Sequence, residues 1–183
     1  MQEIKALLSR WRRDGIQWYQ GWDIATWLDE TVDNQSVVFS IYSTYRAARS
    51  DGRKGGGVCC LVQNTLQSQA ISSVGDNEDF ELLVKVKHQS FQSLIATQYF
   101  PHGRSLTSDK HRKACDHVIA DIDRALSEYP NCPVYLIGDF NQLDIKVFET
   151  NFCSRNIVTK PTRKNAILDL ILIPDDYASF YLV

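Results

Sequence analysis

Pro133-Val134-Tyr135-Leu136-Ile137-Gly138-Asp139-Phe140-Asn141 is an apolar run that ends abruptly in Gly-Asp-Phe-Asn. It reads as a buried strand that delivers polar side chains at its tip. Side chains alternate along a strand, so Asp139 and Asn141 are expected on one side and Phe140 in the core. A carboxylate next to a carboxamide can orient a water and hold a phosphate oxygen, which suits phosphodiester hydrolysis. The same pair also fits a plain strand end running into an Asn-containing turn.

Outward from this stretch, strand and helix signals alternate. Leu94 to Tyr99 reads as a strand closed by Pro101 and Gly103. Cys115, Val118, Ile119, Ile122, Leu126 and Tyr129 form the apolar stripe of a helix from about 108 to 128, capped by Ser108 and stopped by Pro130. A helical stretch through Phe152 follows Asn141, and the last strand spans Ile167 to Ile173. Upstream, Phe80, Leu82, Val84 and Val86 share one face of a half-buried strand. Val58 to Val62 is launched by the turn Asp51-Gly52-Arg53-Lys54-Gly55-Gly56-Gly57, and Val37 to Tyr45 is β-branched and aromatic. The N-terminus carries an amphipathic helix from about 2 to 13, followed by the aromatic-rich segment of Trp18, Tyr19, Trp22 and Trp27. Short strands with flanking helices predict packed sheets with outer helices.

The 183 residues suffice for one domain with a sizeable core, and no repeat or linker divides residues 1–183. Hydrophobic content of 44% with 23% charged residues is globular rather than disordered. No apolar run is long enough for a membrane span, since Asp169 interrupts the best candidate. The five cysteines lack metal-ligand spacing and read as reduced thiols of an intracellular protein, with nucleus and cytoplasm equally open. A net charge of −2 does not advertise a nucleic-acid partner, so any such contact must be local or metal-mediated.

Asp169 stands among apolar neighbours in Ile167-Leu168-Asp169-Leu170-Ile171, where burying a lone carboxylate is costly. It reads as a functional acid aimed at a partner, or as a bend in an edge strand facing water. Tyr99 is a phenol at a strand tip that serves equally well as a core or rim aromatic. The Gly55-Gly56-Gly57 run lacks a phosphate-loop context and reads as a tight turn. His111 and His117, on or beside the helix, read as structural or solvated.

Taken in order, five segments resemble the endonuclease/exonuclease/phosphatase superfamily, and in particular the endonuclease domain of LINE-type (non-LTR) retrotransposon polyproteins. They are Ala25-Thr26-Trp27-Leu28-Asp29, Tyr45-Arg46 through Gly57-Val58, Tyr99-Phe100-Pro101, Ile137 through Asn141, and Lys160-Pro161-Thr162-Arg163 with Ile167 through Leu172. The resemblance implies an α+β fold, a two-layer β-sandwich flanked by helices, and Mg²⁺-dependent cleavage of DNA. It makes Asp139 the group that orients or deprotonates the attacking water. Asn141 and Tyr99 would hold the scissile phosphate, Thr162 and Arg163 would contact substrate, and Asp169 would be the acid that bonds a catalytic histidine.

Two departures qualify that expectation. The family carries a metal-binding Glu in a Thr-Glu-Thr-Trp-Leu motif, and Ala25 stands before Thr26-Trp27-Leu28 here, so the principal metal ligand is replaced and the remaining ligands are undefined. The family's first strand and its closing Ser-Asp-His strand have no counterpart, so the sandwich is expected to be incomplete at both. Strands near Ile167 to Ile173 should then expose unpaired edges and promote self-association. The functional expectation is an impaired endonuclease, with an inactive retroelement-derived fragment or nucleic-acid-binding module as the alternative.

Overall fold

A computed structural model describes residues 22–28, 40–47, 57–76, 79–101 and 109–178. The expected N-terminal helix, the Ser108 cap, most of the glycine turn and the final residues lie outside these. Three strands form one antiparallel sheet: β1 (Trp22–Leu28), β2 (Tyr42–Ala47) and β3 (Gly57–Gln63), in the order β1-β3-β2. Six form the other: β4 (Gln67–Asp76), β5 (Asp79–His88), β6 (Phe91–Tyr99), β7 (Val134–Asp139), β8 (Ser154–Asn156) and β9 (Asp169–Pro174), in the order β4-β5-β6-β7-β9-β8. Helices α1 (Asp109–Glu128), α2 (Lys146–Phe152) and α3 (Asp175–Ala178) complete the described elements. This is the α+β, helix-flanked two-sheet arrangement that the sequence predicts.

The two sheets bury one core between them. Val58, Cys60 and Val62 of β3 meet Leu82 and Val84 of β5, Ile95 of β6, Ile137 of β7 and Ile171 of β9. A second core lies on the outer face of the larger sheet, where Leu83, Leu94, Ala96, Leu136 and Leu172 pack on Val118 and Ile122 of α1 and on Phe148 of α2. The central strands are therefore covered on both faces, which is why their sequences are nearly continuous apolar runs. β6 and β7 run parallel, and α1 supplies the crossover that a parallel pair requires.

Several expectations change. β5 is covered on both faces at Leu82, Leu83 and Val84, and even Glu81 is only 3% exposed, so it is more than half-buried. β4, rich in Ser and Gln, was not foreseen; it lines the sheet margin by pairing with β5. A turn occupies residues 40–41, and β2 follows it and extends to Ala47. β9 begins at Asp169 and is an interior strand, paired with β7 on one side and β8 on the other. Its edges are thus occupied, contrary to the expectation for Ile167 to Ile173. Asp169 is half-buried rather than enclosed, because it sits at the strand's first position.

Candidate active site at the tips of β6, β7 and β9

Tyr99, Asp139 and Asp169 are side by side. Tyr99 and Asp139 are register partners across the parallel pair, and Asp139 and Asp169 are partners across the antiparallel pair. Alternation places all three on the face of the large sheet that carries Ile137 and Ile171, toward the smaller sheet. β1 lies against β6 and β7. The three residues thus line the mouth between the sheets, at the rim where one strand after another ends.

The rim is held by backbone bonds that continue the ladders past the strand ends. Phe100 N–H donates to Asp139 O at 2.9 Å, and Phe140 N–H donates to Leu168 O at 2.8 Å. Phe140 turns into the outer core and contacts Phe100 and Phe148, with ring centroids 5.6 and 6.0 Å away. One residue earlier, Gly138 sits at φ +155°, where a Cβ would meet Gln98 O at 1.8 Å. Only glycine lets β7 approach β6 this closely.

Asn141 arrives by a turn, and strand alternation does not place it. β7 ends at Asp139, and Asn141 adopts φ +50°, a conformation Asn tolerates better than most residues. Its N–H donates to Asp139 Oδ1 at 3.1 Å, and its side-chain Nδ2 donates to Phe100 O at 2.7 Å. That orientation leaves Asn141 Oδ1 buried without a partner. An orphaned acceptor costs on the order of 1–3 kcal/mol.

Arg163 approaches from the loop before β9, with Nη2 3.9 Å from Asp139 Oδ2. Its side chain is half exposed while Asp139 is 1% exposed, so the guanidinium can also meet solvent or ligand. Thr162 has a different local task. Its Oγ1 accepts the N–H groups of Leu168 and Asp169 at 3.0 and 3.1 Å, fixing the entry to β9. Arg163 and Ala166 exchange two backbone bonds around Lys164 at φ +52°, closing the loop that presents the arginine.

Asp139 and Asn141 supply oxygen donors of the kind hard divalent cations take. Ala25 lies on β1 opposite Cys59 and can supply none. None of the five cysteines forms a disulfide; Cys153 is exposed and the other four are buried. Burial pushes the Cys59 thiol up to about 12, against a lowering by Arg46, so it stays protonated.

The sequence matches no family model and no curated protein. The fold has many solved counterparts. TDP2 of D. rerio, complexed with a single-strand DNA product, aligns with TM-score 0.57 and 13% identity over 93% of this chain and 76% of that one. ANGEL2, described as a 2',3'-cyclic phosphatase, aligns with TM-score 0.69 and 10% identity over 94% of this chain and 73% of that one. The endonuclease domain of TRAS1, a telomere-specific non-LTR retrotransposon, gives TM-score 0.54 and 10% identity over 76% and 68% of the two chains. All are members of the endonuclease/exonuclease/phosphatase superfamily, and this chain has the superfamily's fold. Among the described residues, no helix is long and apolar enough to cross a membrane.

Proposed function

We propose that residues 1–183 form one domain whose rim is a phosphodiester-hydrolysing site of the Mg²⁺-dependent endonuclease type, with DNA as substrate and with reduced activity. The observation that carries this reading is the cross-strand row Tyr99, Asp139 and Asp169, with Asn141 folded back onto it. Asp139 is the base or orienting group for the attacking water, and its Oδ1 is already fixed by the Asn141 N–H. Tyr99, the remaining Asn141 amide hydrogen and Arg163 are donors for phosphate oxygens. Thr162 acts through the loop, by holding Arg163 and Asp169 in place. Asp169 remains the candidate for bonding a histidine.

The donor set fits a weakly held Mg²⁺. Asp139 and the orphaned Oδ1 of Asn141 would hold it, with waters and substrate oxygens filling the remaining positions. When bound, the ion would polarise the phosphoryl group. Ala25 favours reduced activity, since by the family resemblance it stands where a metal-binding Glu would. The same substitution supports the second reading, an inactive retroelement-derived fragment or nucleic-acid-binding module. The retrotransposon branch rests on the Pro161-Thr162-Arg163 segment and the glycine turn.

Plasmid nicking at enzyme excess, with Mg²⁺ against EDTA and with Asp139→Ala as control, tests the proposal. Slow, Mg²⁺-dependent nicking that disappears in Asp139→Ala is the expected result. Robust multiple turnover would overturn the reduced activity. No nicking at enzyme excess would overturn catalysis and leave the binding reading.

A further inference from the structure

We propose that Glu81 of β5 and His117 and Asp121 of α1 form a transition-metal site of the Zn²⁺ type, on the outer face of the large sheet. Ligand atoms of the three residues all lie within 4.8 Å of one another. His117 and Asp121 are four residues apart on α1 and so share one face of the helix. Glu81 alternates with Leu82, whose side chain enters the inter-sheet core, so Glu81 points the other way, under α1. The site is therefore on the opposite face of the sheet from the Asp139 rim and does not depend on the function proposed there.

The second observation is the state of Glu81. It is 3% exposed, and neither carboxylate oxygen has a hydrogen-bond partner. Its register partner Gln98 approaches the carboxylate closely enough to favour its charged form, but without full hydrogen-bond geometry, so Nε2 too lacks a formal partner. Asp121 is 4% exposed, so two carboxylates share a dry pocket. Arg124 pairs with Oδ1 of Asp121 from solvent, and its side chain is 71% exposed. It thereby compensates Asp121 and leaves that residue's second oxygen and both oxygens of Glu81 for a cation.

The ligand chemistry selects the metal. One imidazole with two carboxylates suits Zn²⁺, whereas Mg²⁺ takes oxygen ligands and keeps its waters. His117 is exposed, so the ion has a path in from solvent and the third ligand can swing to close the site. A metal there would tie the crossover helix α1 to β5, a strand to which it is not adjacent in sequence.

The test uses the full chain under reducing conditions, titrated with Zn²⁺ in competition with a chromophoric chelator, alongside His117→Ala. Because His117 is exposed, that variant should fold, and Glu81→Gln serves as a second probe. The expected result is one Zn²⁺ site, weakened by at least ~10-fold in each variant, given that outer-shell partners alone are worth about 10–100-fold. Zn²⁺ should raise the thermal midpoint of the parent chain and not of His117→Ala. The Co²⁺ form should show no sulfur-to-metal charge transfer. Equal Zn²⁺ affinity in parent and His117→Ala, absence of any Zn²⁺ binding, or a Co²⁺–thiolate band would each overturn the proposal.

Discussion

Asp139 on β7 and Asp169 at the head of β9 are directly opposed across an antiparallel pair. Like charges in that arrangement repel, and the guanidinium of Arg163, 3.9 Å from Asp139, is a compensating charge nearby. A divalent cation at the rim should therefore stabilise the chain. In the His117→Ala background, which removes the outer site, Mg²⁺ at tenfold over its Kd should add about 1.4 kcal/mol. Asp139→Asn keeps the acceptor for the Asn141 N–H but removes the charge, and should abolish most of that gain. Thermal denaturation in MgCl₂ against NaCl of equal ionic strength checks it; an unchanged Mg²⁺ response in Asp139→Asn would remove Asp139 from the metal's ligands.

Gly138→Ala should destabilise the fold by at least ~2 kcal/mol, because backbone strain at this φ adds to a steric collision. The new methyl would lie 1.8 Å from the Gln98 carbonyl oxygen, a backbone atom within the β6 ladder that cannot rotate away. Urea unfolding measures the effect. A loss under ~0.5 kcal/mol, the usual scale of surface substitutions, would mean that β6 and β7 separate more easily than their register implies.

The sequence showed most where one physical signal dominated. The apolar run ending in Gly138-Asp139-Phe140 identified a buried strand and its polar tip, and the α1 stripe at Cys115, Val118 and Ile122 identified a helix with one buried face. What escaped depended on tertiary cover. β4 is rich in Gln and Ser, with Ile71 and Val74 as its only β-branched aliphatic residues, and becomes a strand by pairing with β5. Glu81 looked solvent-facing because alternation cannot say that a helix covers the second face. Ile167 and Leu168 read as the start of the last strand, but Thr162 Oγ1 takes the Leu168 and Asp169 N–H groups and keeps them in the loop before β9. The Glu81 cluster had one readable half, the His117 and Asp121 pair at helical spacing; its third member needed the fold.

Glu81 should make stability pH-dependent in a direction opposite to most carboxylates. Its folded pKa is raised from the usual 4.5 to about 8, chiefly by burial and secondly by Asp121. Below 4.5 the group is protonated in both states and its cost is absent. As pH rises from 4.5 to 8, the unfolded chain releases the proton while the folded chain keeps it, so stability falls, and above 8 the full loss is present. The size is of the order of a few kcal/mol. In EDTA, Glu81→Gln should flatten this slope and be more stable than the parent near pH 8. Parallel stability-versus-pH curves for the two chains would show that Glu81 is solvated in the folded state.

Self-association should run through β4. β9 is enclosed, so among the described residues the large sheet is bounded by β4 and by the three-residue β8. β4 is ten residues long and has no Lys, Arg or Pro, the usual protections of an edge; its one charge is the terminal Asp76. Such a strand can template pairing with a second copy. Gln69, its third residue, is exposed, and Gln69→Lys would put a like charge on the pairing edge of each copy in an antiparallel dimer through β4. Sedimentation velocity should show concentration-dependent dimerisation of the parent chain, weakened several-fold in Gln69→Lys at low salt and partly restored at high salt, where screening weakens the repulsion. A strictly monomeric parent at high concentration, or a dimer indifferent to Gln69→Lys, would mean that this margin is covered or that the contact lies elsewhere.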